Sequence, residues 1–176
     1  MFTHRMSALV LAAGLALSAC GGDDAPATPA TPAPAPAPAA EAPAPPPAYE
    51  GEPAEITITP VGDEMKFAET EFTVKPGQTV KLIFNNTATS PAMQHNVAIL
   101  KSTDDIQTVG TAGASAADTD YIAPRTASRV IAHTPMSAPG ETVEVTFTAP
   151  AAGDYPYICT FPGHFTMMKG TMHVVP

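Results

Sequence analysis

Apolar and polar side chains alternate along Ala54-Glu55-Ile56-Thr57-Ile58-Thr59, the two-residue period of a strand with one buried face, and Pro60 ends the run. Phe72-Thr73-Val74 repeats the alternation and leads into Lys75-Pro76-Gly77-Gln78. Proline at the second position and glycine at the third make that tetrapeptide a type II turn, because the third residue needs a positive φ. Thr79 to Phe84 alternates again, so the two runs together predict a hairpin. Further strands are expected over 96–100, 129–133, 141–148, 155–159 and 170–175. Between 104 and 123 small and polar residues break the period, which predicts a short helical or irregular flap. Short strands punctuated by Gly and Pro predict an all-β sandwich or barrel. Residues 50–176 are enough for one hydrophobic core and too few for two.

Before residue 50 the pattern has a different character. Arg5 precedes an apolar run, residues 8–16, that is too short to span a bilayer. The run ends in Leu17-Ser18-Ala19-Cys20-Gly21, which looks like a bacterial lipobox. Residues 1–19 are then a lipoprotein signal peptide, and cleavage leaves Cys20 to carry acyl chains; an ordinary secretory signal is the alternative. Each buried CH2 contributes roughly 0.8 kcal/mol, so several chains anchor firmly. Gly21 is not the aspartate of an inner-membrane retention signal, which favours the outer membrane, with the head facing the periplasm or cell surface. Residues 25–48 are Pro and Ala except for Thr28, Thr31 and Glu41. Such a segment favours polyproline II and has nothing large to bury, so 20–49 is expected to be a disordered Ala/Pro-rich tether reaching about 90 Å when extended.

The formal net charge of −9 argues against nucleic acid or anionic lipid as a partner, since both require positive patches. Contact with a membrane is then expected through the lipid anchor alone. Of the two cysteines, assigning Cys20 to lipid leaves Cys159 without a disulfide partner in the head. A lone thiol in an oxidising compartment needs protection, by burial or by a metal.

Cys159-Thr160-Phe161-Pro162-Gly163-His164-Phe165-Thr166-Met167-Met168 joins the last two expected strands and offers a thiolate, an imidazole and a thioether on one loop. Soft sulfur suits Cu(I) and imidazole suits both copper states, and a His2Cys site with a weak axial Met is the blue-copper arrangement. His95, in Met93-Gln94-His95-Asn96-Val97, is the candidate second histidine. Other readings exist for the parts: Cys159 as apolar filler, a zinc ligand, or half of a Cys–His nucleophile pair. Structural zinc usually gathers four strong ligands, and the head has one cysteine. Met167 and Met168 leave the axial position ambiguous by one residue.

The run Cys-Thr-Phe-Pro-Gly-His, with Met168-Lys169-Gly170-Thr171 after it, resembles the ligand loop of the azurin family of cupredoxins. Asp120-Tyr121 and Ser128-Arg129-Val130-Ile131-Ala132-His133-Thr134 resemble the azurin segment after its helical flap, and Gln94-His95-Asn96 fits the first-ligand strand. The likeness runs from about residue 54 to the end, and the lipobox with its tether is similar to that of lipid-modified azurins. It implies a Greek-key cupredoxin sandwich binding one copper through His95, Cys159 and His164, with Met168 weakly axial and the Gln94 carbonyl opposite. Asn96, with Thr160, would tie the two ligand segments together. Met93, Pro162, Gly163 and Phe165 would form an apolar docking patch around the edge of His164. The implied role is a monomeric electron carrier, not an enzyme, serving cytochromes, reductases or oxidases; copper storage or delivery on the same fold is the alternative. His133 and His173 are expected to be ordinary strand histidines. The cysteines of the azurin disulfide are absent, and so is the buried tryptophan found in many azurins.

Overall fold

Val80, Leu82 and Phe84 have no solvent exposure, while the residues between them are half-buried, and this alternation makes β3 (Thr79–Asn85) the spine of one sheet. The computed structural model describes residues 49–176. The expected signal peptide, Cys20 and all of the tether but its last residue therefore lie outside the described residues. In the first sheet β1 (Ala54–Ile58) runs parallel to β3, and β6 (Thr142–Thr148) pairs antiparallel on its other side. The second sheet has five strands, in the order β2 (Glu71–Val74), β8 (Lys169–Val174), β7 (Gly153–Ile158), β4 (Ala98–Leu100) and β5 (Val130–His133). Only β2 and β8 are parallel there.

The predicted hairpin is corrected. Its turn forms as expected, with Gly77 at φ +75° and the Gln78 N–H donating to the Lys75 carbonyl at 3.1 Å. The strands on either side do not pair with each other. β2 joins β8 and β3 joins β1 and β6, so the turn carries the chain from one sheet to the other. Local alternation fixes which face of a strand is buried and leaves its pairing partner open.

The facing sides of the two sheets share one core that includes Ile58, Phe67, Leu82, Phe84, Tyr157 and Met172. Each such side chain contributes about 1.5–3 kcal/mol on burial. The expected flap resolves into α1 (Asp105–Gly113) and a short 3-10 turn, Ala117–Thr119. A second 3-10 turn, Pro124–Arg129, leads into β5, and its Arg129 pairs with the largely buried Asp105 at the start of α1. Beneath α1 a smaller apolar cluster gathers Leu100, Val109, Ile122, Ile158 and Phe165. The helix thus lies against the end of the sandwich from which loop 159–168 emerges between β7 and β8.

Candidate metal centre

Two stretches of chain meet at that end. The first, 93–97, leads into β4 and is pinned by a bridge between His95 and Ser137, with N–H···O distances of 3.1 and 2.8 Å. The second, loop 159–168, closes on itself. Cys159 N–H donates to the Met168 carbonyl at 3.0 Å, and Met168 N–H donates to the His164 carbonyl at 2.8 Å.

His95 Nδ1 and His164 Nδ1 stand 3.1 Å apart, and each is 3.7 Å from Cys159 Sγ. The centre of that triangle lies about 2.0 Å from every corner, close to a metal–imidazole bond of about 2.0–2.1 Å and a little short of a metal–thiolate bond of about 2.3 Å. Hydrogen bonding alone accounts poorly for two ring nitrogens and a thiol all facing one point. All three groups are buried, at 0 % exposure for His95 and Cys159 and 6 % for His164. His95 Nε2 is buried without a partner, and it is the nitrogen left to hold the proton when Nδ1 faces a metal. The donor set therefore fits a thiophilic metal ion.

Burial, with the neighbouring His164 adding to it, holds the His95 ring down to about 4, and burial lowers His164 as well. Both rings are neutral near pH 7 and have lone pairs to give. Burial pushes the Cys159 thiol up to about 11, against the opposing pull of the Asn96 and Phe161 backbone N–H groups. Binding a metal here must therefore expel a proton from Cys159.

Asn96 and Thr160, each the residue after a converging group, are joined side chain to side chain. Asn96 Nδ2 donates to Thr160 Oγ1 at 2.8 Å, and Asn96 Oδ1 accepts the Thr160 N–H at 2.8 Å. Asn86 is a support that the sequence reading missed. It is fully buried, and its Nδ2 donates to the carbonyls of Met93 and Ser137 at 2.9 Å each, on either side of the His95 bridge. Its signal was present: Val80, Leu82, Phe84 and Asn86 share one parity, which puts an amide where the strand faces inward.

Of the two adjacent methionines, Met168 is fully buried in the cluster that contains Cys159, while Met167 is 67 % exposed. The expected docking patch is corrected at one position. Met93 and Pro162 are half-buried and Gly163 is exposed, but Phe165 is buried. The 3-10 turn His164–Thr166 brings its ring under α1 against Gly110, where any Cβ would collide with it. Met65 and Met167, which the sequence reading did not place in the patch, are exposed instead. They line one groove of about 520 Å³ with Glu64, Lys66, Thr70 and Lys169. His133 lies against the Thr134 carbonyl and His173 pairs with Asp154 at 2.7 Å, so neither joins the cluster.

Residues 54–175 match the family described as copper binding proteins, plastocyanin/azurin family. Auracyanin-A of Chloroflexus aurantiacus is 44 % identical over 123 residues, which cover 69 % of this chain and 75 % of that protein. A solved structure of auracyanin A, described as a "blue" copper protein, aligns with a TM-score of 0.66 and 43 % identity over 70 % of this chain and 100 % of that one. Azurin-1 of Alcaligenes xylosoxydans xylosoxydans is 39 % identical over 129 residues, 69 % of this chain and 99 % of that protein. Outer membrane protein H.8 of Neisseria gonorrhoeae is 38 % identical over 118 residues, 64 % of this chain; the match spans 63 % of that relative's length.

Proposed function

This chain belongs to the plastocyanin/azurin family of copper-binding proteins, and from that footing we propose that it carries single electrons between redox proteins of a bacterial cell envelope. The observation that carries the proposal is the buried triangle of His95 Nδ1, Cys159 Sγ and His164 Nδ1. These three atoms would hold one copper ion, and the Met168 thioether and the Gln94 carbonyl would be its weaker contacts. Copper bound there supplies a one-electron Cu(I)/Cu(II) couple.

The protein's own part is to keep the ligand atoms where they are as the charge changes. The His95–Ser137 bridge, the Asn86 amide and the Asn96–Thr160 pair fix both ligand-bearing stretches from behind. His164 is the least buried of the three converging groups, so electrons pass at its edge. Around it Met93, Pro162 and Gly163, with the exposed Met167 of the same loop, would form a weakly polar face for brief docking of cytochromes, reductases or oxidases. In this reading the protein works as a monomeric carrier and not as an enzyme. The 50–176 head would be tethered through 20–49 to an acylated Cys20 in the outer membrane. The lipobox and the kinship with outer membrane protein H.8 support that placement.

The test is electron self-exchange between the Cu(II) and Cu(I) forms of the copper-loaded protein, followed by NMR line broadening. The wild type should exchange rapidly and keep its copper against a chelator through repeated cycles. Met167→Glu should slow exchange about tenfold or more, because it brings two like charges together, and leave the visible spectrum unchanged. Copper lost to the chelator on cycling, with no measurable self-exchange, would point to storage or delivery instead.

A further inference from the structure

Asp120 and Tyr121 both have positive φ, +51° and +59°. Aspartate visits the left-handed region with some ease, but a bulky tyrosine there is an outlier and is strained. Such strain persists only where the surroundings over-determine it. Here the Asp120 carbonyl accepts hydrogen bonds from Asn96 Nδ2 at 2.9 Å and Thr160 Oγ1 at 3.2 Å, and Asp120 Oδ1 accepts the Met136 N–H at 2.8 Å. Asn96 follows His95, Thr160 follows Cys159, and Met136 precedes the Ser137 that bridges His95. The kink at the end of the flap is thereby tied through Asp120 to the two stretches that carry His95 and Cys159 and to the segment that bridges His95.

Tyr121 extends the tie to the remaining group. Its ring stands edge-on to Phe161 with centroids 5.2 Å apart, and Phe161 in turn is tilted over the His164 ring at 4.8 Å. A kink needed only to turn the chain is served best by glycine. The tyrosine adds a ring that presses, through Phe161, on His164.

We propose that Asp120-Tyr121 is a positioning clasp: the end of the flap fixes the orientation of the His164 ring, so that Tyr121 sets the Cu(I)/Cu(II) balance without touching a ligand. The proposal rests on the ligand assignment made under Proposed function. Without the Tyr121 ring, Phe161 and His164 gain freedom to move. Cu(I) tolerates a loosened imidazole better than Cu(II) does, so the balance shifts to the reduced form.

The experiment is redox titration of the copper-loaded protein with Tyr121→Ala, Tyr121→Leu and Tyr121→Phe, each with its EPR spectrum. Tyr121→Ala should move the equilibrium about twofold or more toward Cu(I), the size of effect expected of a residue that acts through a neighbour, and Tyr121→Phe should restore it. Tyr121→Leu, which keeps bulk without a ring, should behave as Tyr121→Ala and replaces it if that variant does not fold. A blue protein whose balance stays put in the ring-less variants, or moves toward Cu(II), overturns the clasp while the ligand assignment stands. A wild type with no thiolate charge-transfer band overturns the assignment and the clasp together.

Discussion

Met167 and Met168 are adjacent in sequence and opposite in placement, one exposed and the other fully buried beside Cys159. Met168→Gln should therefore shift both the visible spectrum and the reduction potential, and Met167→Gln should leave both unchanged. Absorption and potentiometry on the two variants check this, and the reverse pattern would move the axial ligand by one residue. The site's ionisable groups also predict how the metal-free protein responds to pH. His95 is held near 4 against an ordinary value of 6.5, so the unfolded chain takes up the proton first as the pH falls. Stability is full above 6.5 and is lost toward 4, by about 3 kcal/mol at most. Cys159 acts at the other end. Its thiol is pushed up to about 11 from 9.0, so the unfolded chain ionises first and stability falls as pH rises through that window. Thermal unfolding of metal-free protein should show a plateau between 6.5 and 9.0, and a flat profile from pH 4 to 11 would contradict both placements. At this scale most of the site was legible, because a thiol, an imidazole and a thioether on one loop have few other reasons to occur together. Asn86 and the inward turn of Phe165 were not read, since each depends on where a neighbouring element packs.

The flap is the element whose contribution was hardest to foresee. Small and polar residues between 104 and 123 announced a break in the strands, but nothing local showed that α1 would cover the metal loop. That packing depends on Gly110, which lets the helix backbone approach the Phe165 ring. Gly110→Val should force helix and loop apart at a cost of about 1–3 kcal/mol, lower the melting temperature and speed copper loss to a chelator. A normal melting temperature with unchanged copper retention would mean that the helix does not hold the loop. The turn at Lys75–Gln78 teaches the complementary lesson. Its chemistry was read correctly, yet β2 and β3 belong to different sheets, because pairing is decided by contacts distant in sequence. Strand ends were recovered more closely. The exceptions are two strand starts: β4 begins at Ala98 and not at 96, where the Val97 N–H is taken by the Thr134 hydroxyl at 3.1 Å, and β7 begins at Gly153 and not at 155.

At the scale of the whole molecule the proposed scheme divides the labour. A lipid anchor would hold the protein at a membrane, the Pro/Ala segment would give reach, and the folded head would do the redox chemistry. Cys20→Ser should move the protein from the membrane fraction to the soluble fraction on cell fractionation, with its metal site unaltered; retention in membranes would remove the anchor from this scheme. The formal charge of −9 belongs to the whole chain and says little about the groove at Met65 and Met167, whose charged lining is Glu64, Lys66 and Lys169.

Electron carriage by this protein depends on the thiolate at the centre, so the most direct measurement is a Cu(II) titration of the purified head, followed by visible absorption and EPR before and after reduction. One equivalent of copper should give an intense blue charge-transfer band and a narrow copper hyperfine splitting, both lost on reduction and regained on oxidation. A pale or colourless complex would show that Cys159 does not bind copper in this geometry, and would contradict the electron-carrier account.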